Sequence, residues 1–337
     1  MTVPELTSDT PQCDFYTLQN DLIRAEFCSY GARLMALYLR NPDGSETNIA
    51  VGLSAIEHYQ QQDSYIGAIC GRYANRIANA EYRQGSDKIS LSANEGANHL
   101  HGGDRGFDKY IWNTDAADCH SLQFSLTLPD GDQGYPGQLT TRVTYTLSAE
   151  DTLTCRISAI SEKATVLNIT HHAYWNLSGE MDSSAAGHTL QIDADAYLPV
   201  DEKLIPLPGR AIVDDTRFDF RSAAMISEQL TESEGFDHNF CLNGQRGELR
   251  TIARLSDPAS GRCLSIASTE AGLQFYLAQH FSAEMISREG APLHPSAGIA
   301  LEPQTFPDAP NRPDFPSAQL QPGETYQHII QWQFGYV

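Results

Sequence analysis

The sequence predicts an all-β fold, a large antiparallel β-sandwich with a few short helices, and three observations carry that prediction. Apolar and polar residues alternate at period two along several stretches, turn-forming residues interrupt those stretches often, and helical signals are few. Along the chain, Asn41-Pro42-Asp43-Gly44 marks a turn. Ser54, with Glu57 three residues on, makes a capping box before a brief helix ending near Gln62. Leu122, Phe124, Leu126 and Leu128 are apolar with polar partners between them, which reads as a half-buried strand closed by the turn Pro129-Asp130-Gly131. Val143, Tyr145 and Leu147 repeat the pattern. Ser222 is placed to cap a second helix running to about Leu230. Asn243-Gly244 and Gln321-Pro322-Gly323 mark later turns, and Tyr326, Ile330, Trp332 and Phe334 read as one more strand.

With 337 residues, 41% of them hydrophobic, the chain has ample material for one large core. No repeat, low-complexity stretch or linker divides it, so residues 13–337 are expected to form a single domain behind a flexible tail, residues 1–12. That tail is polar, carries Pro4 and Pro11, and lacks the basic and apolar regions of a signal peptide. No apolar run approaches the roughly 18 residues that a membrane span needs. The 43 acidic side chains outnumber the 22 basic ones, a net charge of −21, and such a surface repels nucleic acid and anionic membranes. It also disfavours heavily phosphorylated substrates and leaves a neutral small molecule as the simplest partner. Seven scattered cysteines with no C-x-x-C pair read as reduced thiols in the cytoplasm.

Five segments depart from ordinary sheet sequence, because ionisable residues stand where apolar alternation should continue. In Gly71-Arg72-Tyr73-Ala74-Asn75-Arg76-Ile77, two guanidinium groups with an amide between them can clamp hydroxyl or carboxylate oxygens, or simply pair with surface carboxylates. Asn98-His99-Leu100-His101-Gly102-Gly103 has metal-like His-x-His spacing, though such pairs are more often structural, and its glycines allow a close approach to the backbone. In Thr170-His171-His172-Ala173-Tyr174-Trp175-Asn176-Leu177, alternation puts His172, Tyr174 and Asn176 on one face with Trp175 opposite. That face is either a proton-donating site or a buried polar network. Gly235-Phe236-Asp237-His238-Asn239-Phe240 suits a sugar, with rings for its C–H face and polar groups for its hydroxyls, or else a loop pinned by Asx turns. Finally, Glu302 ends the apolar run Gly298-Ile299-Ala300-Leu301, where a carboxylate acquires a raised pKa and becomes a usable base, unless the strand end is exposed. Pro303 is expected to stop that strand from continuing normally. No G-x-G-x-x-G, Walker A, H-E-x-x-H or G-x-S-x-G context occurs.

Together and in this order, the segments resemble the aldose 1-epimerase (galactose mutarotase) family from about Gly31 to Phe334. Gly71–Ile77 is similar to its G-R-x-A-N-R-I, and Leu100–Gly103 with Gly106-Phe107-Asp108-Lys109 to its L-H-G-G and G-F-D-K. Gly131–Gly137, Thr170–Leu177, Tyr197–Asp201 and Gly235–Phe240 are similar to four further family stretches. Trp175 departs from the usual Phe, and Pro303 from the usual Thr or Ser.

The resemblance implies a mutarotase-like supersandwich of two large twisted sheets, with a hexose in an open cleft and no metal or other cofactor. It implies Glu302 as general base and His172 as general acid. Arg76, His101, Asp237 and Gln274 would bind sugar oxygens, and Asn75, Tyr174 and Asn176 would line the same cleft. His99 and His171 are expected to be supporting or structural, and the chain to act as a monomer or homodimer. Four rivals stand beside this reading: a sugar-binding module without chemistry, a relative acting on sugar phosphates, a metal enzyme using His99, His101, His171 and His172, and a glycoside hydrolase using Glu302 and Asp237.

Overall fold

A computed structural model describes residues 13–231 and 235–337. The expected tail, residues 1–12, lies outside the described residues. Antiparallel sheets dominate. The largest has nine strands in the order Asn113–Ala117, Ser121–Leu128, Leu139–Leu147, Thr152–Ser161, Tyr326–Tyr336, Arg262–Ser268, Arg250–Ser256, Thr189–Ile192 and Ala224–Met225. A six-stranded sheet runs Tyr174–Trp175, Ile299–Gln304, Gly272–Leu277, Asp237–Leu242, Ala194–Tyr197, Ala211–Ile212. The segment Phe15–Asn48 adds a four-stranded meander. Among the described residues, no helix is long and apolar enough to cross a membrane.

The predicted alternation appears in the large sheet. Leu122, Phe124, Leu126 and Leu128 are buried while their neighbours are half-buried or exposed, and Val143, Tyr145 and Leu147 behave alike. In Tyr326–Tyr336 the buried positions are His328, Ile330, Trp332 and Phe334. Apart from His328, these side chains share one apolar cluster with Leu273, Phe275 and Leu301 of the six-stranded sheet and with Phe27 and Leu37 of the meander. Each such burial stabilises the fold by about 1.5–3 kcal/mol.

The helices differ from expectation. The first spans Ile56–Gln60, with Ala55 at its N-cap and no side-chain cap bond. The Ser54 hydroxyl instead bonds His58 Nδ1 at 2.9 Å, so the capping box does not form. The second is not an α-helix: Ala224–Met225 pairs with Thr189–Leu190, and Ile226–Gln229 makes a 3₁₀ turn. Only Ile226 of that turn is buried, too small an apolar face to hold several helical turns. Pro303 also does not interrupt its strand, which continues to Gln304 with Pro303 opposite Leu273. The neighbouring strand pairs only at Ile299 and Ala300, so on that side no ladder bond is demanded of residue 303.

Candidate active site

The strand Ile299–Gln304 is buried at all six positions. Its side chains therefore divide between two covered faces. Leu301, with Leu273, Phe275 and Phe240 on the neighbouring strands, joins the core. On the other face the register sets Glu302 opposite Gln274 and Gln274 opposite Asn239, with Tyr276 and Asp237 paired in the next row. Gln274 Nε2 donates to Asp237 Oδ1 at 2.6 Å. A polar row has been built into a buried sheet face.

Loops from the first half of the chain roof that face. Asn75 and His101 both adopt left-handed backbone, φ 63° and 47°. The Asn75 N–H donates to His101 Nδ1 at 3.2 Å. A ring nitrogen that accepts a hydrogen bond carries no proton, so the neutral His101 presents Nε2–H as a donor. Arg76 pairs through Nε and Nη2 with Glu95 at 2.7 Å each, while its Nη1 lies 3.8 Å from Asp237 Oδ2. The glycines after His101 do allow a close approach, and the visitor is the protein itself. A Cβ on Gly102 would sit 1.8 Å from the Gly71 carbonyl oxygen.

His172 faces Glu302, Nε2 to Oε1 3.5 Å, and both are buried. They meet in a cavity of about 220 Å³. Asn75, Arg76 and His101 line it from the loop side, and Tyr174, Asp237 and Gln274 from the sheet. Asn176 is not brought to this wall. Its amide donates to Ala297 O at 2.8 Å and Glu180 O at 3.0 Å, and its carbonyl accepts from Ser178. The strand alternation that aligned it with Tyr174 ends at Trp175, and the chain then turns. Trp175 itself packs on Trp332 and Phe334 in the core.

Electrostatics follow from the burial. Glu302 is pushed well above the usual carboxylate range by burial and by Asp237, against the pull of Arg76. Burial also raises Asp237, opposed by Arg76 and by the Gln274 hydrogen bond. His172 is pushed down to about 3, chiefly by burial, and His101 well down by burial and by His172. Both shifts favour the uncharged forms, a protonated carboxyl beside a neutral imidazole. Moving that proton to His172 yields a carboxylate and an imidazolium with the pair's net charge unchanged.

Ligand atoms of His101, His172 and Glu302 lie within 4.8 Å of one another, a grouping that a metal ion can use. The Asn75 N–H argues against it, because it holds the proton of His101 on the Nε2 that would have to ligate. His99 has both nitrogens engaged, Nδ1 with Ser92 O at 2.7 Å and Nε2 with Tyr135 Oη at 2.6 Å. His171 lies edge-on to Tyr145 and Trp332 in the core. The titratable group against Glu302 is thus an imidazole, while Asp237 is engaged by Gln274 and faces Arg76. Tyr65 and Glu95 are among the lining residues that escaped the sequence reading. Both stand in polar loops with no periodic background to contradict.

The model of the family described as aldose 1-epimerase matches residues 14–333. The chain is 39% identical over 332 residues to a galactose mutarotase from Pongo abelii, covering 98% of this chain and 96% of that one. It is 37% identical over 340 residues to an aldose 1-epimerase from Escherichia coli strain K12, covering 98% of each. A crystal structure of an aldose epimerase homologue from C. elegans superimposes with a TM-score of 0.90 at 28% identity, covering 97% of this chain and 100% of that one.

Proposed function

This chain belongs to the aldose 1-epimerase family, and we propose that it opens and recloses the ring of free aldohexoses at the His172–Glu302 pair, so interconverting their α and β anomers. The observation that carries the reading is one carboxyl and one imidazole, 3.5 Å apart and buried together at the cavity. Ring opening requires one base and one acid. The C1 hydroxyl gives its proton to the Glu302 carboxylate, the His172 imidazolium gives one to the ring oxygen, and the C1–O5 bond breaks to leave an open-chain aldehyde. The pair is then neutral, the form that its burial favours. After the C1–C2 bond turns, the two groups exchange roles and the ring closes on the other carbonyl face.

Arg76, His101, Asp237 and Gln274 orient the sugar. His101 donates through Nε2–H, and Arg76 offers Nη1, the arm that Glu95 leaves open. Asn75 sets the His101 tautomer through its own N–H, and Tyr174 covers one side of His172. Galactose is the first substrate to test, since the mammalian relatives are named for it, and glucose the second. The reaction needs no metal or redox cofactor. Both members of the pair come from one chain, so a monomer suffices and a homodimer is compatible. Residues 13–337 act as one domain, for which a core cluster running from Leu18 to Phe334 is the support. Seven free thiols fit a cytoplasmic setting.

Polarimetry of freshly dissolved α-D-galactose and α-D-glucose, with chelator present throughout, tests the proposal. Faster decay to the same final rotation is expected. A decay no faster than buffer alone, with sugar binding intact, would leave a binding module in the same fold.

A further inference from the structure

We propose that Tyr65 is the positioning residue of the acid–base pair, its ring holding the His172 imidazole in the orientation that aims Nε2 at Glu302. The inference rests on the assignment of His172 above. A histidine that moves protons is ordinarily oriented by a hydrogen bond to its second nitrogen. His172 has no such bond, for its Nδ1 is buried without a partner among the described residues. Rings hold it instead. Tyr65 lies nearly parallel to the imidazole, centroids 6.0 Å apart and planes 19° apart, and Tyr174 packs tilted against it at 4.8 Å and 31°. Tyr65 also packs on His101 at 4.5 Å, so a single side chain touches both catalytic-site imidazoles.

The backbone of the same loop reinforces this. Gly67 N donates to His172 O, and His172 N donates to Ala68 O, both at 2.8 Å. The Ser64 carbonyl accepts the Tyr174 hydroxyl at 3.1 Å. Gly67 presses against the strand Arg33–Arg40 so closely that a Cβ would sit 1.9 Å from Leu34 O, which leaves the loop little room to shift. Within it, Tyr65 holds φ at +54°, a conformation that bulky residues rarely adopt. Strain of that kind persists where the surroundings over-determine it and clusters at working sites. The ring is only 8% exposed and closes one wall of the cavity. The titratable and charged groups around His172 are Glu302, His101, Tyr65, Tyr174 and the adjacent His171, and the Arg33 charge also acts on it.

Three variants separate ring, hydroxyl and backbone. Tyr65→Phe keeps the ring and is expected to retain turnover within about threefold. Tyr65→Leu removes the ring, and Tyr65→Gly removes it while suiting the positive φ. Both are expected to lose about 10- to 100-fold in kcat with KM changed far less, the scale on which a small misplacement of a reacting group acts. The acid limb of their kcat profile should also move up toward the ordinary imidazole range as water reaches His172. Wild-type kcat with an unmoved acid limb in the Leu and Gly variants would overturn the proposal. So would a Phe variant as damaged as the Leu one, which would make the hydroxyl the working group. On the unmodified enzyme, the His172 ring protons should show the upfield ring-current shift of a stacked imidazole in NMR, and ordinary shifts would count against it without any variant. Turnover that survives His172→Gln would sink the underlying assignment instead, whatever Tyr65 does.

Discussion

The nine-stranded and six-stranded sheets contribute to the same apolar core, yet they use their second faces differently. In Leu139–Leu147 the buried positions alternate with residues that reach solvent, and apart from Thr141 the polar residues lie on the side that reaches water. In Ile299–Gln304 both faces are covered, so the polar side chains have no water to justify them. Glu302 and Gln274 lie in that covered row and line the cavity with His101 and His172. Most polar residues on the first sheet are ordinary surface, whereas those in this row of the second line the cavity or stand beside it.

The contrast is sharpest in adjacent histidines of one segment, His171 turned to the core beside Trp332 and His172 turned to Glu302. The largest effect expected from testing it is on turnover. Glu302→Gln and His172→Gln should each lower kcat by about 10²- to 10⁴-fold while sugar binding by calorimetry stays within a few-fold. Their melting temperatures should hold, since each amide replaces an ionisable group that the interior already keeps neutral. A collapse of stability in these variants would erase the distinction between the sheets. Trp332→Ala should do the opposite, costing about 3–5 kcal/mol in denaturant unfolding while the folded fraction turns over normally.

His171 supplies a third test. Burial holds its imidazole down at about 3, so the folded chain refuses a proton that the unfolded chain accepts near pH 6.5. Its contribution to stability is complete above pH 6.5 and is lost as pH falls toward 3, by about 1.4 kcal/mol per pH unit. Glu302 and Asp108, whose raised pKa values favour the folded state toward acid, oppose it in part. His171→Leu should therefore flatten the fall of melting temperature between pH 6.5 and 4 and leave kcat within about threefold. The smallest effect belongs to Glu95→Gln, which weakens the fork that aims Arg76. Its partly exposed carboxylate limits the loss to about three- to tenfold in KM, with kcat little changed, in steady-state polarimetry.

The first sheet was legible in the sequence for the same reason that it is chemically quiet. Its period-two pattern at Leu122–Leu128 or Val143–Leu147 encodes one wet face and one dry face, and nothing competes with that signal. His172, Asp237 and Glu302 were legible as breaks in such patterns. Asn176 misled because alternation was extended past Trp175, where the chain turns and the amide is consumed by local carbonyls. Ser222 misled because a capping residue announces a helix that only an apolar face can stabilise, whereas the brief helix after Ser54 forms without its capping box. Tyr65 and Glu95 left no trace, since a loop has no period to break and a positive φ at tyrosine is set by neighbours distant in sequence.

The position of Tyr326–Tyr336 has a consequence for how the molecule is made. This strand, the last of its sheet to be synthesised, pairs with Thr152–Ser161 on one side and Arg262–Ser268 on the other. Until it emerges from the ribosome, the large sheet exists as two halves, each with a long open edge that another chain can join. A nascent chain stalled or cleaved before Tyr326 would keep every residue that lines the cavity and lose the seam between the halves. Proteostasis, rather than catalysis, would register that lesion first.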